Sequence, residues 1–593
     1  MEQAAAAPTR YRWRFHEPSS DAQAATDRLA RHLGVEDLVA RLLLRRGIAN
    51  AEEADRFLRP SLNDLHDPSL LPGVERSAMR IDQACRSGQP IIIYGDYDVD
   101  GITASSILWH VLRLAGADVH TYTPHRLDEG YGLNSDAIRQ LVADQPVAPL
   151  IVSVDCGITA LEPARVARQL GVDLIITDHH AFDPNGLPES FAIVHPTLPG
   201  SQYPFEWLCG AAVAFKVAWQ FAKVHCGSER LPGPFRDLLL DLLALAALGT
   251  VADVVPLVDE NRTITSHGLG RIKSTRISGL NALIDAASLR HEQIDAYHVG
   301  FVLGPRINAC GRMGHARDAV KLLTEAREPD AAAIADFLTK ENERRRVTER
   351  EILKQAMRMV TEAGYGRDEC RAIVLGSSGW HAGVVGVVAS RLVDEFCRPV
   401  VLLNYEDGEA RGSARSVAGI SIHDALHACS PLLKSFGGHA MAAGLRLDTD
   451  NVAALREQLV AYINERLQPQ DMERVLDIDA GCGLGDLRLP LLRQIEQLAP
   501  FGRDNPAPML CLTDVCLDGP PQRVGADKTH LRLPLRQGRH RSHAIGFGLG
   551  ALAEDLSAGD RIDIVFTPKT SFWRGRKQVD IHLKDVRTAT ASL

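Results

Sequence analysis

The 593-residue sequence predicts an α/β protein with mostly parallel sheets, followed by an all-β segment. Three observations carry this. Short apolar runs, Ile91-Ile92-Ile93-Tyr94, Leu150-Ile151-Val152-Ser153-Val154 and Leu174-Ile175-Ile176-Thr177, each end in glycine or charge, the pattern of strands buried on both faces. Helical spacing fills the intervals, and strand–helix alternation implies βαβ units on a parallel sheet. From about Val475 onward, short alternating segments are separated by Gly and Pro, enough for a small barrel.

In chain order, residues 1–75 read as a helical and irregular region punctuated by Pro60, Pro68 and Pro72. Residues 76–327 form the first α/β domain, with further strands at Asp118–Tyr122 and Phe191–Val194 and helices at Thr103–Ala115 and Ile158–Gln169. The most apolar window, Leu238–Val255, is interrupted by Asp241 and Asp253 and reads as a buried helix, not a membrane span. Residues 328–366 predict one long connecting helix: Ile334, Phe337, Leu338, Ile352, Leu353, Ala356 and Val360 follow helical spacing between Pro329 and Gly364. Its run Arg344-Arg345-Arg346 is either a solvated face or a nucleic-acid contact. Residues 367–467 are a second α/β domain, with strands at Ala372–Leu375 and Pro399–Leu403, and residues 470–593 are the β domain, with strands at Ile562–Phe566 and Val579–Leu583.

A chain this long exceeds a single core, and its 45% hydrophobic and 24% charged residues are ordinary for a globular protein. The start Met1-Glu2-Gln3-Ala4 has no secretory pattern. Eleven cysteines without a C-x-x-C pair argue against a disulfide framework or structural zinc. The expectation is a cytoplasmic protein with no membrane association. Net charge is −9, yet Arg523–Arg587 holds 13 Lys/Arg against 7 Asp/Glu. That basic stretch either tracks a phosphate backbone or solubilises a β-rich surface.

The chemistry lies where the apolar runs end. The first leads into Gly95-Asp96-Tyr97-Asp98-Val99-Asp100-Gly101, the second into Asp155-Cys156-Gly157, and the third into Asp178-His179-His180. Ligands of open α/β sheets bind outside the carboxyl ends of the strands, so the three clusters converge on one crevice. Carboxylates crowded together repel unless cations neutralise them. In an extended segment residues two apart share a face, so Asp98 and Asp100 both offer oxygen to a metal pair, with Asp155 bridging and His179 adding nitrogen. Asp253, in an otherwise apolar stretch, needs a partner that a cation supplies. Carboxylates with one or two histidines and no thiolate suit Mn²⁺ or Mg²⁺ better than Zn²⁺. Two such ions, roughly 3.5–4 Å apart, serve hydrolysis of a phosphoester or phosphoanhydride. Ser413-Ala414-Arg415-Ser416 and Phe436-Gly437-Gly438-His439-Ala440 add a weaker phosphate-binding signal.

Together these residues resemble the DHH phosphoesterase superfamily and, within it, the branch of bacterial single-strand-specific exonucleases. The resemblance runs along nearly the whole chain: Gly95–Gly101, Pro124-His125-Arg126, Glu129–Leu133, Val154–Gly157, Asp178–His180, Leu208-Cys209-Gly210, Gly249–Leu257, Gly304–Arg312, Trp380–Gly386, Ala389-Ser390-Arg391, Gly437-Gly438-His439 and Pro500-Phe501-Gly502. It implies a DHH domain, a DHH-associated domain and a C-terminal oligonucleotide-binding (OB) barrel. It further implies that Asp98, Asp100, Asp155, His179 and Asp253 ligate two Mn²⁺ or Mg²⁺ ions, with His180 also catalytic and Asp96 in support. Arg126, Arg306, Arg312, Ser413, Arg415 and His439 would line the DNA path, the strand threading between the two α/β domains with Ser413 and Arg415 near its 5′ phosphate. The barrel would hold the strand through Trp573, Arg574 and Lys577. The implied activity is 5′→3′ hydrolysis of single-stranded DNA in recombinational and mismatch repair, with single-strand binding protein and a repair helicase as partners. The chain departs from the family pattern at His125, Asp128-Glu129, His195 and Ala382. Three other readings remain open at this point: a phosphodiesterase for short or cyclic oligonucleotides, a catalytically inactive DNA-binding scaffold, and a pyrophosphatase.

Overall fold

The computed structural model describes residues 11–15, 22–126, 129–183, 186–365, 369–573 and 576–589. The chain forms two compact units: Leu62–Met472 with Gly502–Asp504, and Met1–Ser61 with Glu473–Phe501 and Asn505–Leu593.

The larger unit begins with a five-stranded parallel sheet of β1 (Ile91–Gly95), β2 (Val119–Tyr122), β3 (Leu150–Val154), β4 (Leu174–Thr177) and β5 (Ala192–Val194), in the order β2-β1-β3-β4-β5. β1 and β3 are buried at every position because both faces are covered. Ile91, Ile93 and Val152 point into one core, Ile92, Tyr94 and Ile151 into the other, the two-residue alternation of a pleated strand. The first core is completed by α1 (Val99–Leu114), α2 (Gly210–Cys226) and α3 (Gly233–Ala252), which are apolar around most of their circumference and accordingly buried. Strand order reverses between β1 and β3, and doubly wound sheets take their ligands at such a switch point.

Beyond α4 (Gly304–Met313) runs α5 (Asp330–Glu362), a helix of 33 residues, ~50 Å long at 1.5 Å per residue. Its first half gives Ala331, Ala335 and Leu338 to the core of the first sheet. Its second half gives Ile352, Ala356 and Val360 to a core shared with the next module. That module is a mixed sheet of β6 (Ile373–Ser377), β7 (Val400–Glu406), β8 (Glu409–Arg415), β9 (Ser435–His439) and β10 (Ala442–Asp448), in the order β9-β10-β8-β7-β6, with α6 (Ala382–Phe396) against it. Only β6 and β7 run parallel. The arginine run on α5 divides by direction. Arg344 and Arg346 are exposed and pair with Glu341 and Glu343, whereas Arg345 turns inward to Asn342 and to the buried Glu349.

In the smaller unit a seven-stranded sheet closes into a barrel, Leu510–Leu517 pairing with both Arg561–Trp573 and His530–Gln537. The N-terminal residues, read from sequence as a region by themselves, share this barrel's core. Leu38, Leu42 and Leu43 pack with Leu510, Leu512, Ile564 and Phe566. Arg12–Phe15 is a strand pairing in parallel with Val475–Ile478, and Trp13 donates from Nε1 to Asp585 at 2.8 Å. A pairing across more than 450 residues leaves no local periodicity to read. No helix among the described residues is long and apolar enough to cross a membrane.

One buried ion pair ties the segment preceding the first sheet to its helices. Lys216 on α2 and Glu260 are both fully buried and paired. Lys216 Nζ also donates to the His66 carbonyl, and Glu260 accepts from the His66 backbone N–H at 2.9 Å and from the Tyr203 hydroxyl. Breaking such a pair strands an uncompensated charge, at about 3–5 kcal/mol, while replacing both members with apolar residues is far less costly. Glu260→Ala is therefore expected to lower the first thermal unfolding transition sharply. Glu260→Leu combined with Lys216→Met is expected to recover most of the loss, as calorimetry would show.

Candidate metal centre

Each cluster singled out at a strand end does sit at the switch point, but local structure differs from the extended segment expected. The helix after β1 begins at Val99, four residues before the expected Thr103, because Asp98 caps it: its Oδ1 accepts from the backbone N–H of Asp100 at 2.9 Å and of Gly101 at 3.2 Å. Asp98 and Asp100 thus come together through a helix cap. Asp100 is 1% exposed, and its two oxygens accept from Gly210 N–H at 2.6 Å and Ala211 N–H at 2.8 Å at the start of α2, where the helix dipole favours negative charge. That approach requires glycine. A Cβ on Gly210 would lie 2.5 Å from the Asp155 carboxylate, and one on Gly249 would lie 2.4 Å from Asp100 Oδ1.

Asp155 follows β3 with φ +59°, in the left-handed region, and is buried. Asp253 is the C-cap of α3. His179, after β4, brings Nε2 to 3.1 Å from Asp155, 3.6 Å from Asp253 and 3.7 Å from Asp100. Burial first, and the neighbouring His180 next, push the His179 imidazole down to about 4, so it is neutral and carries a free lone pair. Burial and surrounding carboxylates hold the Asp155 and Asp253 carboxyls well above the usual range. Asp96 is raised by burial and Asp98, and Asp100 by burial despite His179. Asp178 behaves oppositely. Burial would raise its carboxyl, but bonds from His180 Nδ1 (2.7 Å), the His179 N–H (2.7 Å) and the Ile158 N–H (2.9 Å) outweigh burial and depress it. By the same pairing the His180 imidazole, which burial would lower, is pushed up to about 9.

These residues fit a pair of hard cations. Asp155 Oδ1, His179 Nε2 and Asp96 Oδ1 are buried without a hydrogen-bond partner among the described residues. Although Asp155 and His179 approach closely, they are not aligned as donor and acceptor; their lone pairs face a common space. Ligand atoms of Asp100, His179 and Asp253 lie within 4.8 Å of one another, as do those of Asp96, Asp98 and Asp155 and those of Asp155, His179 and His180. The overlapping triads, rich in carboxylate and free of thiolate, match the donor set of Mn²⁺ or Mg²⁺.

An arginine-rich wall faces this centre. Arg126 lies over the Tyr97 ring at 4.8 Å. Arg312 on α4 donates to the Gly383 carbonyl at 3.3 Å, and burial first, then Arg126, Arg345 and Arg415, lower its guanidinium to about 9. On β8, Arg415 Nη1 donates to Ser413 Oγ at 2.7 Å. His439, at the end of β9, stacks against His180 with centroids 6.4 Å apart. Arg306 donates from Nη1 to the Val302 carbonyl at 2.7 Å. In the other unit, Trp573 and Lys577 lie on the two strands of a long ribbon, Arg561–Trp573 and Arg576–Thr588, with Lys577 exposed. Arg574 and the Trp573 side chain lie outside the described residues.

Family models match along the chain: the DHH family N-terminal domain over residues 90–249, the DHHA1 domain over 369–465 and the RecJ OB domain over 478–585. The Bacillus subtilis single-stranded-DNA-specific exonuclease RecJ is 38% identical, over 97% of this chain and 71% of its own length. The chain belongs to the RecJ family. The Escherichia coli RecJ is 31% identical over 92% of each chain. A crystal structure of Thermus thermophilus RecJ in complex with Mn²⁺ superposes with a TM-score of 0.81 at 30% identity, covering 98% of this chain and 80% of that one.

Against this RecJ frame, sequence reasoning gave no role to three contributors. Asp178 stood in the quoted motif, yet only the structure reveals it as the orienting partner of both histidines. His195, a departure from the family pattern, is 1% exposed and meets the His180 carbonyl from Nε2 at 2.9 Å. Arg503 carried no local signal. It donates to the Val254 carbonyl at 3.4 Å and accepts from the Leu257 N–H at 2.9 Å, pinning the turn after Asp253, where Val254 has φ +58°.

A carboxyl raised in the folded state binds its proton more tightly than in the unfolded chain, where Asp titrates near ~3.9. The associated stability is complete below that value and is lost as pH rises through the folded-state values. For Asp96, Asp100, Asp155 and Asp253, the metal-free protein is therefore expected to melt at lower temperature at pH 8 than at pH 5. Mn²⁺, which needs the deprotonated ligands, is expected to raise the melting temperature more at pH 8. Thermal-shift measurements with and without chelator check both trends.

Proposed function

We infer that this RecJ-family protein is a metal-dependent exonuclease that hydrolyses single-stranded DNA from its 5′ end. The observation that carries this reading is the buried carboxylate cluster with His179, whose lone pairs converge beside an arginine-rich wall. When bound, two Mn²⁺ or Mg²⁺ ions supply charge neutralisation and Lewis acidity for attack on a phosphodiester. Asp98, Asp100, Asp155, His179 and Asp253 would hold them, with Asp96 completing the set. The α2 N-terminus fixes Asp100, so its oxygens need no reorganisation as substrate enters. Asp178 holds His180 protonated near neutral pH, which places a proton donor beside His439 and the phosphate path. Ser413, Arg415, Arg126 and Arg312 would receive the 5′ phosphate, Arg415 as a fork of donors matched to phosphate geometry. Arg306 would contact the strand further on. In the barrel, Trp573, Arg574 and Lys577 are the proposed contacts with the strand. The protein would act in the cytoplasm during recombinational and mismatch repair, beside a single-strand binding protein and a repair helicase.

The direct test is Mn²⁺-dependent digestion of a single strand labelled at its 3′ end, beside the same strand in blunt duplex. A ladder shortening from the 5′ side on the single strand alone is expected. Cleavage restricted to short oligonucleotides would instead favour a small-substrate phosphodiesterase, and tight binding without cleavage an inactive scaffold.

Asp155→Ala is expected to abolish hydrolysis and leave strand binding within about twofold. Asp178→Asn, which disturbs the support of the ligands together with the protonation of His180, is expected to weaken metal affinity roughly 10–100-fold, measured by Mn²⁺ titration. Near-normal nuclease activity of Asp155→Ala in metal-defined buffer would remove the ligand assignment.

A further inference from the structure

Two large aromatic side chains on the catalytic unit have no role in the site described above. Tyr297 is 57% exposed and Phe301 is 71% exposed, yet they stack on each other, with ring centroids 4.9 Å apart and planes 29° from parallel. Two exposed rings held in register form a preassembled flat apolar surface, whereas isolated exposed apolar side chains are commonplace. The backbone beneath them is also unusual. Val299–Leu303 forms a π-helical turn running directly into α4, a rare element found frequently at functional sites.

The same turn opens onto a cavity of about 200 Å³ lined by Gly300, Gly304, Pro305, Asn308, Arg312 and Arg345, among others. Ala252, the neighbour of Asp253, also lines it, so the cavity adjoins the metal centre. Residues 297, 301 and 305 are spaced four apart along this continuous helical segment, and Pro305, next after Phe301 in that spacing, lines the cavity. The Nε of Arg306 is buried and has no hydrogen-bond partner among the described residues. Flat apolar rings beside a cavity walled by guanidinium groups match a ligand with planar faces and a polyanionic backbone.

We propose that the Tyr297–Phe301 stack is a base platform for the single strand, holding one nucleobase of the substrate at the mouth of the Arg312- and Arg345-lined cavity. This rests on the exonuclease reading and adds a specificity element to it. Duplex bases, stacked on each other, have no free face to offer, so the platform discriminates against duplex by chemistry. Every base has a π-face, so the contact is indifferent to sequence.

The test uses the full-length protein in chelator, where strands bind without being cut. Fluorescence anisotropy is measured on oligonucleotides in which a short abasic gap is moved stepwise from the 5′ end. The wild type is expected to lose about tenfold in affinity when the gap reaches one particular register, the scale of a single base stack. Phe301→Ala and Tyr297→Ala are expected to abolish that register-specific loss, and Phe301→Trp to retain it. Both positions are exposed, and unchanged thermal melting confirms that the variants fold. If wild type and Phe301→Ala show the same gap profile while the wild type still degrades single strands in Mn²⁺, the platform is overturned and the exonuclease reading stands. If the wild type neither binds nor degrades single strands, the exonuclease reading falls and takes the platform with it.

Discussion

Mutual repulsion among buried carboxylates is the constraint around which the larger unit is organised. Asp96, Asp100 and Asp155 are almost wholly inaccessible and Asp253 is partly buried, all within reach of Asp98. Charges of one sign in a low-dielectric interior are costly unless they are paired or coordinated. The protein offsets part of the cost with the N-terminus of α2 on Asp100, the cap N–H groups on Asp98 and the protonated His180 on Asp178. It leaves Asp155 and His179 uncompensated. Those atoms face the position a cation would occupy, so a bound cation would complete their coordination.

Parallel topology is what allows so many acidic groups to meet. β1, β3 and β4 are adjacent, all pointing their carboxyl ends one way, and the reversal of order between β1 and β3 opens the space. Apolar runs ending in Asp were enough to read this from sequence, because strand burial and strand ends are local properties. What remained hidden was non-local. Nothing near Asp98 announces that its carboxylate caps a helix and so advances the start of α1. Nothing near Gly210 announces that its N–H lies on Asp100, and Arg503 reaches the turn after Asp253 from some 250 residues away. The strand Arg12–Phe15 and its partner Val475–Ile478 are short segments whose pairing lies in contacts across the chain. Asp178 shows a further limit. Its residue type fits ligand and supporter equally, and only its bonds to both histidines decide between the roles.

The barrel unit was legible for a different reason. Its sequence alternates, and the structure sends alternate side chains to different cores: Ile562, Ile564 and Phe566 enter the barrel core, while Val565 joins a second buried cluster. The N-terminal helices escaped assignment to it because an amphipathic helix declares that it has a partner, not which one. Leu38, Leu42 and Leu43 fit any apolar face in sequence; the structure gives them to Leu510 and Phe566.

The helix α5 explains how two separately folded sheets present one continuous wall of arginines. Its halves belong to different cores, so a single rod sets the spacing between the modules. Arg345 lies where the rod passes from one core to the other. It is held there by Glu349, which is 3% exposed and also receives Arg391 from α6. A carboxylate shared between guanidinium groups on two helices fixes the rotation of the rod as well as its position. With that rotation fixed, Arg345 faces the same cavity as Arg312 of α4. Two cations brought side by side by different elements repel one another, and the lowered guanidinium of Arg312 records that strain together with its burial. The wall is thus charged against itself in the same way that the metal centre is, with opposite sign. A polyanion lying across both relieves the first through its phosphates, while cations relieve the second. A polyanion and a cation pair would therefore meet complementary electrostatic deficits next to each other.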